Sequence, residues 1–214
     1  SETLDVMLGI PDQTMASLDE TIDFLIKTDI PHISAYMLSI EEGTVFHKRV
    51  DSLNLPDEDI VCDMYMQLSE RLRAAGYEHY EISNFAKDNH RSRHNTKYWN
   101  CEEYLGIGPS AHSFIDGKRF FFERDITSFI NGEKAVFDTI GGDKEEYIML
   151  RLRLSDGIVF RDYKSRFGED FPAEIIKKAD RFVKEGLLTL TDKRLALTPD
   201  GFLISNYIIS ELIN

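Results

Sequence analysis

The chain has two cysteines in 214 residues, Cys62 and Cys101, far apart in sequence. That scarcity excludes a disulfide framework and any self-contained thiolate cage for zinc or an iron–sulfur cluster. No apolar run approaches the roughly 20 residues that cross a bilayer, and the start shows no basic-then-apolar leader. Positive charge is also short. The formal charge is −13, and phosphate repels such a surface, so broad nucleic-acid binding is not expected. Repeats, low-complexity linkers, a phosphate-loop pattern and a two-histidine metalloprotease helix are all missing. Nor does the sequence assemble a Ser-His-Asp or Cys-His arrangement. What is left is a globular composition with 42% hydrophobic residues, consistent with a cytoplasmic protein that has no integral membrane segment.

The pattern along the chain is strand, helix, strand, helix, strand. Leu4 to Ile10 reads as a buried strand, with Asp5 placed near its carboxyl-terminal end. Leu18, Ile22, Leu25 and Ile26 mark an amphipathic helix over 17–28, and Ile33 to Ile40 a second strand ending at Ser39. Pro56-Asp57 opens a longer helix that Gly76 closes, and Tyr77 to Ile82 is a third strand. Such alternation predicts a parallel α/β sheet. Three strands leave its faces uncovered, so residues 1–124 read as part of a larger α/β body. Cys62 falls in the helical pattern as a small core residue. Farther on come helices over 143–154, 163–167 and 172–185, a hairpin turning at Asp192-Lys193, and a final helix from Pro199. Residues 125–214 therefore read as a small helical, winged-helix-like domain. Residues 143–214 hold 13 acids and 12 bases with no basic stripe, which favours a packing or lid role over DNA binding.

The stretch from Gly76 to Phe114 is the richest in chemistry. It holds four of the six histidines and the sole tryptophan. His94 is the strongest candidate, because an imidazole can ligate iron and its neighbours suit a flat, acidic-edged ligand. Asn95 could hold its tautomer, Tyr98 and Trp99 offer stacking faces, and Arg91 and Arg93 present forks for carboxylates. Gly106 and Gly108, ahead of His112, would let a backbone approach a ligand. Each feature taken alone also has a structural explanation: a core histidine, a solvated loop, a turn.

Three segments then narrow the choice: Leu4-Asp5-Val6-Met7-Leu8-Gly9-Ile10-Pro11-Asp12-Gln13-Thr14, the run Tyr77-Glu78-His79-Tyr80-Glu81-Ile82-Ser83-Asn84-Phe85-Ala86, and the His-Asn-x-x-Tyr-Trp pattern of His94 to Trp99. Jointly they resemble the oxygen-independent coproporphyrinogen III oxidase family of radical S-adenosylmethionine proteins, and the third resembles its haem-chaperone branch. The resemblance implies an α/β fold, the C-terminal part of a partial (β/α)6 TIM-like barrel followed by the winged-helix-like capping domain. It implies a C-terminal fragment, since the family's Cys-x-x-x-Cys-x-x-Cys motif for a [4Fe–4S] cluster has no counterpart here and this chain carries no metal ligands for it. For the S-adenosylmethionine it implies Asp5 near the ribose, Ser39 against the cofactor, and His112 beside the adenosyl group. His112 stands where the oxidase has an apolar residue, which favours the chaperone branch. For haem it implies His94, Asn95, Tyr98 and Trp99. The expected parent binds haem or a porphyrin and delivers it to respiratory haem-recipient proteins. The alternative parent is the oxidase, which removes two propionate carboxyls to give protoporphyrinogen IX. By itself the fragment is expected to be catalytically inactive.

Overall fold

The computed structural model describes residues 2–214. Residues fall into two compact units, one formed by 1–91 with 198–203 and the other by 92–197 with 204–214.

In the first unit the elements run β1 (Leu4–Leu8), α1 (Met15–Thr28), β2 (His32–Met37), a single-turn α2 (Val45–Lys48), α3 (Glu58–Ala74), β3 (Glu78–His79) and β4 (Asn84–Ala86). Thr14 caps α1 in a reciprocal capping box with Ser17, and Asp29 ends the helix in the left-handed conformation. Asp57 caps α3 by accepting from the Ile60 N–H at 2.8 Å. The helical period puts Leu18, Ile22 and Leu25 of α1 and Met64, Leu68 and Leu72 of α3 into the core with Val6, Leu8, Ile33 and Ala35. Each of the larger side chains, fully buried, contributes about 1.5–3 kcal/mol, and the Ala35 methyl less.

β1 and β2 pair in parallel, Leu4 with Ile33 through Leu8 with Met37. The third strand is not parallel as expected. β4 lies antiparallel to β2, and β3 antiparallel to β4, in the order β1-β2-β4-β3. The cause is local. The buried Glu81 carboxylate accepts from the Ser83 N–H at 3.2 Å and from the Asn84 amide, which folds the chain back on itself between β3 and β4. Behind this hairpin His79 is buried, stacked on Phe85 at 4.1 Å between ring centroids and edge-on to Phe202. Tyr65 Oη donates to the Ile82 carbonyl at 2.7 Å and lies 3.2 Å from His79 Nε2, while Ser69 Oγ lies 3.0 Å from Nδ1. Burial lowers the His79 pKa to about 4, and burial likewise pushes His32 down.

The second unit opens with α4 (Arg93–Trp99), followed by β5 (His112–Ile115), β6 (Lys118–Phe121), α5 (Ile126–Ile130) and β7 (Val136–Ile140). These strands form an antiparallel sheet β5-β6-β7 with a register shift between Arg119 and Phe120. Then come α6 (Lys144–Arg151), β8 (Ile158–Val159), α7 (Phe160–Phe167), α8 (Ala173–Lys184), β9 (Leu188–Leu190) and β10 (Arg194–Leu197). Helix, short strand, two helices and a hairpin, with sheet order β8-β10-β9, make the winged-helix-like arrangement expected from the sequence. The expected final helix is two: α9 (Pro199–Leu203) in the first unit and α10 (Ser205–Ile213) in the second, divided at Ile204, whose backbone leaves the helical region. Among the described residues no helix is long and apolar enough to cross a membrane.

Candidate functional site

α4 carries the histidine motif. Its residues are modest helix formers, and the helix starts because Ser92 caps it, Oγ accepting from the Asn95 N–H at 3.3 Å. One helical turn brings positions i and i+4 together, so Tyr98 Oη meets His94 Nε2 at 2.6 Å and the rings lie edge-on at 4.8 Å. The partner of the His94 ring is thus Tyr98 rather than Asn95. Tyr98 also packs edge-on against Tyr104 at 4.5 Å. Burial, then the neighbouring Tyr104, pushes the Tyr98 phenol up, so the free protein keeps it protonated.

Tyr98 and Trp99 form one wall of a cavity of about 530 Å³ within the second unit. Cys101, Tyr104, His112, Phe114, Arg119 and Glu146 are among its other walls. Such a volume suits a small-molecule or cofactor ligand. Arg119 pairs with Glu146, donates from Nη1 to Tyr104 Oη at 3.1 Å and lies over the Phe114 ring at 4.7 Å. The cavity thereby combines aromatic walls with a neutralised ion pair. The Trp99 indole Nε1 is buried with no hydrogen-bond partner among the described residues, and the Arg153 guanidinium covers the ring at 5.0 Å. Of the two arginines expected to meet acidic groups, Arg91 is engaged by the Glu78 carboxylate, from Nε at 2.9 Å, whereas Arg93 is exposed on α4.

His112 lies in the second unit. It opens β5, exposed, with its ring stacked on Phe121 at 5.5 Å, and lines the same cavity as Tyr98 and Trp99. The glycine turn has a structural use: a Cβ on Gly106 would run into the His112 carbonyl, so the close backbone approach is to β5 itself.

In the first unit, Asp5 is the second residue of β1, near its start rather than its carboxyl end. It is exposed on the open face that also presents Met7 and Tyr36, the side opposite the buried Val6 and Leu8. Ser39 follows β2 and donates to Glu41 Oε1 at 2.8 Å. Cys62 is half-buried and lines a second cavity of about 370 Å³ with Gly9, Leu38 and Val61, so it is not the core residue expected. Burial, then Asp59, Asp63 and Glu58, raises its thiol. Among the described residues no three His, Cys, Asp or Glu side chains gather to hold a metal ion, so the thiolate set of a [4Fe–4S] cluster does not fit these residues.

Residues 144–204 match the family model of the HemN C-terminal domain. The chain is 29% identical over 219 residues to the heme chaperone HemW of Lactococcus lactis, covering 99% of this chain and 58% of that protein. It is 33% identical over 219 residues to HemW of Escherichia coli, covering 98% and 57%. The chain is similar to HemW along nearly its whole length and to the HemN C-terminal domain over residues 144–204. It spans a little over half the length of the curated relatives it matches. A solved structure shares the fold. HemN of Escherichia coli, a coproporphyrinogen III oxidase described as a radical SAM enzyme, superposes with a TM-score of 0.75, covering 99% of this chain and 54% of that one. At 17% identity this likeness shows the α/β HemN fold alone.

No signal in the sequence pointed to Tyr104, Arg119 or Glu146 as cavity walls. The spacing of α4 alone could have paired His94 with Tyr98, since i and i+4 share a helix face.

Proposed function

We propose that this chain is the haem-binding portion of a cytoplasmic haem chaperone, which takes up haem and delivers it to respiratory haem proteins. The observation that carries this is the His94–Tyr98 pair beside the aromatic cavity of Tyr98, Trp99, Tyr104 and Phe114. The HemW relatives, named as heme chaperones, support it. His94, Asn95, Tyr98 and Trp99 are the haem contacts. Asp5, Ser39 and His112 contact S-adenosylmethionine in the intact protein, Asp5 through the ribose hydroxyls, for which an exposed carboxylate is the suitable acceptor. Residues 1–124 form the C-terminal part of the barrel and 125–214 the capping domain.

His94→Ala is expected to weaken the ferric haem complex about tenfold while leaving the circular dichroism unchanged. Wild-type affinity in that variant would remove His94 from the site. Anaerobic turnover of coproporphyrinogen III by the intact protein would sink the chaperone reading in favour of the oxidase. Reconstitution of the 214 residues with iron and sulfide is expected to give no stoichiometric cluster absorbance, because Cys62 and Cys101 are its only thiols.

A further inference from the structure

Resting on the haem-binding reading, we propose that Tyr98 Oη is the iron ligand and that His94 is its hydrogen-bonding base. The geometry of α4 separates the two residues' tasks. Tyr98 lines the cavity, whereas His94 is exposed and is not among the cavity's walls. His94 Nε2 lies 2.6 Å from Tyr98 Oη, so with the ring proton on Nδ1 the imidazole accepts from the phenol. A ligand in the cavity therefore lies against Tyr98, whose hydroxyl holds the imidazole, rather than against His94 itself.

The chemistry agrees with this order. Phenolate is one of the axial donors proteins use for haem iron, and it needs a base to take the phenol proton. On binding ferric haem, the Tyr98 O–H bond breaks and its proton moves to His94 Nε2. The Oη–Fe(III) bond forms, and the axial water or chloride leaves. No electron is transferred. The imidazolium then donates back to the coordinated oxygen as a charge-assisted hydrogen bond.

Other donors on the cavity wall are less suited. Tyr104 Oη already accepts from Arg119, a cation that cannot take its proton. Cys101 is buried, and burial raises its thiol, which disfavours the thiolate. His112 is the strongest competitor, as a cavity imidazole with no side-chain hydrogen bond among the described residues.

The test is ferric haem added to the wild type, Tyr98→Phe, His94→Ala and His112→Ala, read by resonance Raman spectroscopy. Wild-type protein with ring-deuterated tyrosine is measured alongside, and this arm does not depend on any variant folding. The expected result is a set of phenolate–iron modes that shift with the labelled tyrosine. Tyr98→Phe abolishes them and weakens binding at least tenfold, His94→Ala keeps them with weakened binding, and His112→Ala leaves them intact. Haem bound with no label-sensitive mode, or a ligand signature lost in His94→Ala or His112→Ala but kept in Tyr98→Phe, overturns the assignment while haem binding stands. Wild-type protein that binds no haem overturns the functional reading and this assignment with it.

Discussion

Gly157→Ala is expected to destabilise the second unit by about 3 kcal/mol, one of the larger effects a single methyl can have. Gly157 has φ +63° and precedes β8, where its N–H donates to the Leu154 carbonyl at 2.9 Å and its carbonyl accepts from Arg151 Nε at 3.0 Å. A Cβ there would sit 2.6 Å from the Ala196 Cα and closer still to the Leu195 carbonyl, both in β10. Neither is the end of a flexible side chain, so β8 and β10 would have to part. Gly168 is the control. It ends α7 at φ +75° with open space around it, so Gly168→Ala incurs only the left-handed backbone penalty of about 1 kcal/mol. Trp99, the only tryptophan, lies in this unit and reports its unfolding by fluorescence. Equal urea midpoints for the two variants would show that β10 yields to the methyl at no cost.

The second large effect is on acid stability. His79 is buried between Phe85 and Phe202, and its pKa falls to about 4 from an ordinary value of 6.5 because burial disfavours the imidazolium. The unfolded chain therefore binds a proton over a range in which the folded chain does not, and stability rises with pH across it. The contribution is fully present above about pH 6.5 and is lost progressively as pH falls to about 4, roughly 3 kcal/mol in all. His32, also lowered by burial, acts in the same direction. Urea unfolding of the first unit, followed by circular dichroism between pH 7 and pH 5, is expected to show this slope. His79→Gln is expected to be less stable at pH 7 and flatter with pH. An unchanged slope in His79→Gln would assign the acid sensitivity elsewhere.

The parts of the fold legible in the sequence were those in which several local signals agree. α3 has an Asp57 cap, a 3.6-residue apolar stripe and Gly76 after its end, and it forms where expected. The β9–β10 hairpin carries alternating Leu and Thr around Asp192-Lys193. The direction of the third strand was not legible, because it depends on where the Glu81 carboxylate finds its donors, a contact that no periodicity records. The β5-β6-β7 sheet is not legible in the sequence for a different reason. β7 is exposed along its whole length, so its Val136, Phe137 and Ile140 have no buried face to impose alternation. At the site, the motif residues Tyr98 and Trp99 were visible beforehand. The Arg119–Glu146 pair that completes the cavity joins β6 to α6 across 27 positions and appears only in three dimensions.

The most direct measurement of the central claim is a ferric haem titration of the 214-residue chain, followed together by the haem absorbance and by Trp99 fluorescence. Trp99 lines the cavity beside Tyr98, so a haem bound there lies against the indole. The account predicts a saturable complex of one haem per chain, with Trp99 quenched in proportion to the absorbance change. Haem uptake that fails to saturate, or that saturates while Trp99 emission is unaltered, would contradict it.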